Sequence, residues 1–143
     1  MADDFDLTRF VSAQAGTYDA ALAELRAGAK RSHWMWFIFP QLAGLGRSET
    51  ARFYAISGMA EARAYAAHEL LGLRLRASTD AVLEWSGRRS AEAILGSIDA
   101  LKLASSMTLF EAACPDDPRF GAVLDGFYAG QRDETTLHLL AQG

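Results

Sequence analysis

Cysteine is almost missing from this chain: Cys114 stands alone among 143 residues, so no intrachain disulfide can form. That scarcity suits a reducing, cytoplasmic setting. Proline is scarce too, with three in all, two of them at positions 115 and 118. Valine, isoleucine and threonine are sparse, and no stretch alternates apolar and polar residues as a half-buried strand does. The longest apolar run, Trp34–Phe39, is far short of the ~20 residues a membrane helix needs. Met1-Ala2-Asp3-Asp4 is acidic and no apolar run follows, so no secretory signal is expected. Positive charge is also in deficit. A net charge of -4 argues against a general nucleic-acid binder, though not against a local basic pocket. His33, His68 and His138 lie far apart, without the spacing of a metal site. No Walker lysine loop and no dinucleotide fingerprint is present, so no cofactor is expected.

What the chain does have is apolar mass. Half of its residues are hydrophobic, and 22% are charged. A chain of this length typically buries roughly 70% of its unfolded surface, so one core in one domain over residues 1–143 suffices. Alanine and leucine dominate, and helices should carry the fold. Helical spacing predicts helices over Asp6–Gln14, from Thr17 as cap to about Ala27, and over Thr50–Ala55. It predicts others over Met59–Ala67 with Ser57 as cap, over Glu69–Trp85, and as a short capped turn at Ser90–Leu95. Further helices are expected over Ile98–Cys114 with Ser97 as cap, from Asp117-Pro118 to near Gly130, and over Glu134–Ala141 opened by Asp133. The expectation is an all-α, irregular multihelical globule of about eight helices, several of them short.

One stretch stands apart: Lys30–Ser48, reading KRSHWMWFIFPQLAGLGRS. Three polar residues lead into seven consecutive large side chains, His33–Phe39. Pro40-Gln41 closes the run, and Gly44-Leu45-Gly46 loosens it before Arg47. Periodicity alone does not decide between strand and helix. A short buried helix over His33–Phe39, ended by Pro40, is preferred because its neighbours are helical.

This stretch resembles one bacterial family, numbered 1810 among domains of unknown function. So do Leu7-Thr8-Arg9-Phe10-Val11-x-x-Gln14 and Leu101-Lys102-Leu103-Ala104-Ser105-Ser106-Met107-Thr108-Leu109-Phe110. The likeness runs from about Phe5 to Leu140. It implies an all-helical fold with a larger and a smaller lobe, and it brings no reaction with it. Some members carry the label calpastatin. A calpain inhibitor of that kind is long, polar and disordered, whereas this chain has three tryptophans and a full core pattern.

The candidate site is built on the same stretch. His33 is the candidate acid or base, because imidazole exchanges a proton near neutral pH and two tryptophans beside it would partly desolvate it. Its alternative is an anchor bonded to a backbone carbonyl. Lys30, Arg31 and Arg47 are candidate anion holders, Arg47 the more so for following a glycine loop; each also reads as a solvated charge. Trp34 and Trp36, two apart, point different ways on a helix, so one can be core while the other lines a pocket and stacks on a ring. Gln41 sits at a forced turn, where its amide orients a ligand or ties down the loop. On the 98–114 helix, Asp99, Lys102 and Ser106 share a face, with Ser105 beside them; that polar stripe is expected to meet the 30–48 segment. No motif around Ser105 or Ser106 supports a catalytic serine. Cys114 reads as core.

Two functions follow. One is a cleft for a small anionic molecule, a nucleotide or an ADP-ribose-like compound, held by Lys30, Arg31, Arg47 and Lys102, with Trp34 or Trp36 stacking. The other is a protein-interaction module without chemistry, in which the aromatic segment is only core. Convergence of His33, Gln41 and Lys102 on an open cleft separates the two.

Overall fold

Helices α1 (Thr8–Gln14), α2 (Tyr18–Arg26), α3 (Met35–Ile38), α4 (Glu49–Phe53) and α5 (Met59–Ala67) follow one another in the computed structural model. They continue with α6 (Glu69–Leu83), α7 (Ala91–Leu95), α8 (Ser97–Ala113), α9 (Arg119–Phe127) and α10 (Glu134–Gln142). The structure describes residues 5–142, so the acidic start at 1–4 lies outside the described residues. Among those described, no strand forms; a single isolated parallel bridge joins Leu42 to Ile56. The fold is all-α, with ten helices among the described residues where about eight were expected. Three of them, α3, α4 and α7, span five residues or fewer. Among the described residues, no helix is long and apolar enough to cross a membrane.

The helix starts show which local signals won. Ser48 and Ser90 accept the backbone N–H of Ala51 and Ala93, the usual service of a hydroxyl at a helix start. Imidazole does the same for α6, where His68 Nδ1 accepts from Leu70 and Leu71 N–H, each at 3.2 Å. Asp133 accepts the N–H and hydroxyl of Thr136 and so opens α10. Three expected caps are corrected. Thr17 occupies the cap position of α2, but its hydroxyl makes no bond to the helix. Gly58 caps α5 in place of Ser57, whose N–H instead donates to Glu61 Oε1 at 2.8 Å. Gly96, at φ +88°, caps α8, and Ser97 is already helical, because only glycine takes that left-handed turn without strain.

α8 is the axis of the molecule. It packs against α5, α7, α9 and α10. Every residue from Ser105 to Phe110 is buried, so no polar face shows over that stretch. Around it runs a chain of rings from four helices. Phe10 meets Tyr65 edge-on at 5.0 Å, Tyr65 meets Phe110 at 5.5 Å, and Phe110 meets Phe120 at 5.9 Å. Such pairs add about 1 kcal/mol each beyond the area they bury. α5 and α6 approach closely at Gly72, where a Cβ would lie 2.2 Å from the Ala66 carbonyl oxygen.

The aromatic segment is a wedge driven between α1, α2 and α6. Its helix is shorter than expected, one turn at Met35–Ile38 rather than His33–Phe39. Two polar devices hold it, one buried at Gln14 and one half-buried at Glu24. Gln14 donates its amide to the Phe37 carbonyl at 2.8 Å and to the Tyr65 hydroxyl at 3.0 Å, and accepts from Arg74 at 3.3 Å. Glu24 holds the wedge's entry: its carboxylate accepts Arg31 N–H at 2.7 Å, Ser32 N–H at 3.0 Å, the Ser32 hydroxyl at 2.6 Å and the Trp34 indole N–H at 2.9 Å.

Candidate functional site

The wedge's outer edge, the loop after it and the first half of α8 enclose an open cleft of about 400 Å³. Trp36, Gln41, Leu45, Gly46, Arg47 and Ser48 line one side; Ile98, Leu101, Lys102 and Ser105 line the other, with Asp133 and Thr135 at the end. Gln41 is held by its backbone, which accepts Ile56 N–H at 2.8 Å, while Ala43 N–H donates to Ile56 at 2.7 Å. That short ladder fixes where the loop begins. At Gly46 a Cβ would stand 2.4 Å from the Cβ of Ala51, so the loop lies against α4 only because the residue is glycine.

A second hollow of about 350 Å³ adjoins the first. Lys30, His33, Met35, Leu95, Ser97 and Asp99 line it, and it shares Trp36, Ile98 and Lys102 with the cleft. Its electrostatics are unusual. Asp99 offers one oxygen to Lys30 Nζ at 2.9 Å and the other to Lys102 Nζ at 3.5 Å. Each ammonium also lies over an indole, Lys30 over Trp34 at 5.0 Å and Lys102 over Trp36 at 4.8 Å. Aromatic faces attract cations, so two lysines, two tryptophans and one aspartate form a single charge cluster with one net positive charge. Lys30 is the buried and tightly paired member; Lys102 is the more exposed and the more loosely paired.

The residues singled out in the sequence separate accordingly. Trp36, Gln41, Arg47, Lys102 and Ser105 meet at the cleft, and His33 and Lys30 face the adjoining hollow. His33 and Lys102 therefore line the same cavity. His33 is exposed, not desolvated between tryptophans, because the indole of Trp34 turns inward. Three candidates belong elsewhere. Trp34 is fully buried, and its N–H is committed to Glu24. Arg31 points its side chain to solvent and lines neither hollow, its contribution being the backbone N–H that Glu24 accepts. Ser106 lies in the core, and its hydroxyl has no partner among the described residues, since α8 is enclosed on all sides there. Ser105 reaches the cleft, but its hydroxyl bonds back to the Leu101 carbonyl at 3.3 Å.

The sequence pattern missed Ile98 and Leu101. They stand 70% and 72% exposed beside Lys102, forming an apolar lip. Their signal was available: 98, 101 and 105 fall on one helical face, opposite the buried stripe of Leu103, Met107 and Phe110.

The whole chain can be compared with known proteins on this footing. Residues 4–140 match the family described as protein of unknown function, DUF1810. The chain belongs to that family. The crystal structure of the conserved hypothetical protein Rv1873 from Mycobacterium tuberculosis is 53% identical, covering 97% of this chain and 99% of that one, with a TM-score of 0.94. No curated protein matches. Membership in DUF1810 thus carries the fold and assigns no reaction.

A larger hollow, about 670 Å³, lies on another face, between α2 and α6. Arg26 and Arg88 line it beside Asp80 and Glu84; Asp80 is paired with Arg119 at 3.0 Å, and Arg88 lies over Trp85 at 4.9 Å. In the cleft, Arg47 has no ion-pair partner among the described residues, and Asp133 is turned to its own helix start.

Proposed function

We propose that this DUF1810 protein binds a small anionic, nucleotide-like molecule in the cleft between the aromatic wedge and α8. One observation carries the reading: a half-buried tryptophan at the edge of an open cleft, with a lysine over its ring and, on the neighbouring loop, an arginine without an ion-pair partner among the described residues. Trp36 offers a flat apolar face to a base, Lys102 and Arg47 attract the phosphate, and Gln41 presents an amide held in place by the Ile56 ladder. Ile98 and Leu101 shield the ring from water. Volumes of 300–1,000 Å³ are usual for such sites, so about 400 Å³ holds a mononucleotide.

Isothermal titration with AMP tests this. Binding is expected at Kd about 1 mM or tighter. Arg47→Ala and Trp36→Ala should each weaken it about tenfold, the loss at Arg47 shrinking as salt is raised. Absence of binding up to ~10 mM AMP sinks the reading. The exposed Ile98 and Leu101 favour a second reading, in which this lip docks a protein partner. Ile98→Ser with Leu101→Ser would then abolish partner capture while wild-type protein ignores nucleotides.

A further inference from the structure

We infer that the hollow on the far side of Trp36 and Lys102 completes the same site, so that the ligand is a two-part molecule: a nucleoside diphosphate joined to a sugar. This rests on the nucleotide reading above and specifies what the other half of the ligand is. The two hollows are not separate features, for they share the Trp36 ring, the Ile98 side chain and the Lys102 ammonium. Each alone is near the small end for a ligand site, at about 400 and 350 Å³.

Their chemistry differs in a way that fits unlike ends of one molecule. Beyond the ring they share, the first has an arginine without an ion-pair partner among the described residues, and its one carboxylate, Asp133, is taken up by the N–H and hydroxyl of Thr136. The second has a carboxylate, a hydroxyl and an imidazole, at Asp99, Ser97 and His33, and its one additional cation, Lys30, is already paired. A carboxylate repels a second phosphate but accepts hydrogen bonds from sugar hydroxyls. Asp99 has lone pairs to spare, since each oxygen receives one lysine and a carboxylate offers about four acceptor sites. Lys102 stands on the boundary, and its 3.5 Å pairing with Asp99 is the looser of the two. A diphosphate crossing the boundary competes with Asp99 for that ammonium.

Titrations with AMP and with ADP-ribose, which carry nearly equal charge near pH 7.5, isolate the second half of the ligand. ADP-ribose is expected to bind about tenfold tighter than AMP. His33→Ala combined with Ser97→Ala, both exposed positions, should return ADP-ribose to the affinity of AMP. Equal affinity of the two compounds for the wild type overturns the inference and leaves the nucleotide reading standing. So does an ADP-ribose advantage that survives the double substitution. If neither compound binds, the nucleotide reading falls, and the inference falls with it.

Discussion

Arg9→Met is expected to destabilise the protein by about 4 kcal/mol, because it strands a buried carboxylate. Arg9 Nη2 pairs with Glu61 Oε2 at 3.1 Å, with side-chain exposures of only 11% and 4%. The same guanidinium donates to the Phe53 carbonyl at 2.7 Å and to the Ala55 carbonyl at 2.9 Å, and it lies 4.4 Å from the centre of the Phe10 ring. One side chain thus ties α1 to the end of α4 and to the first turn of α5. Methionine fills part of the volume but leaves Glu61 with a single bond, from Ser57 N–H, and leaves carbonyls without donors. Urea unfolding should show a lower midpoint at unchanged slope. Adding Glu61→Leu to Arg9→Met should recover about 2 kcal/mol, since the stranded charge then disappears. A loss below ~1 kcal/mol for Arg9→Met would mean that Glu61 finds water, and that the pair is a surface feature.

Glu24→Ala should lose about 3 kcal/mol, and it should act on the cleft as well as on stability. Its four bonds fix residues 31–34, the hinge from which Trp34 turns inward and Trp36 outward. Burial by itself raises the Glu24 carboxyl pKa. The Ser32 hydroxyl, Arg31 N–H, the Trp34 indole and Ser32 N–H outweigh that and hold it at about 2, against an ordinary 4.5. The folded state therefore binds fewer protons than the unfolded chain between these values. The stabilisation is complete above about pH 4.5 and is lost as pH falls towards 2. Wild-type stability should drop across that acid interval more steeply than that of Glu24→Ala. Parallel acid profiles for the two proteins would show that this carboxylate is not the clamp. Lys30 N–H still donates to the Ile94 carbonyl at 2.7 Å in the variant, so the wedge loosens at one end rather than detaching.

Much of this was legible from local spacing, and what was not required distance in the fold. Helical spacing separated Trp34 from Trp36 in the sequence, and they do diverge, although Trp34 stands at the cap position before α3 rather than inside the helix. The i, i+3 relation of Asp99 and Lys102 was equally plain. The pairing of Lys30 with Asp99 was not, since 69 positions separate them by number. That pairing turns Lys30 from a free cation into a neutralised one. Ser106 looked like the next member of a polar stripe one turn after Lys102. The apolar residues around it gave no period to show that α8 enters the core at that point. Ser57 and Ser97 looked like caps, but glycine beside each took the cap position, and at Gly96 it did so with a left-handed backbone. The apolar lip at Ile98 and Leu101 has the i, i+3 spacing of a buried stripe, so its own spacing does not mark it as exposed.

The three tryptophans give the most direct test of the central claim. Two indole N–H groups are committed inside the protein, Trp34 to Glu24 and Trp85 to the Leu25 carbonyl at 3.0 Å. The third belongs to Trp36, which lines the cleft, and has no partner among the described residues. In an ¹H–¹⁵N NMR titration with AMP, the Trp36 indole signal and the Gln41 side-chain amide should move, while the Trp34 and Trp85 indoles hold still. Movement centred on Trp85, or an unmoved Trp36 signal at saturating AMP, would contradict the site proposed between the wedge and α8.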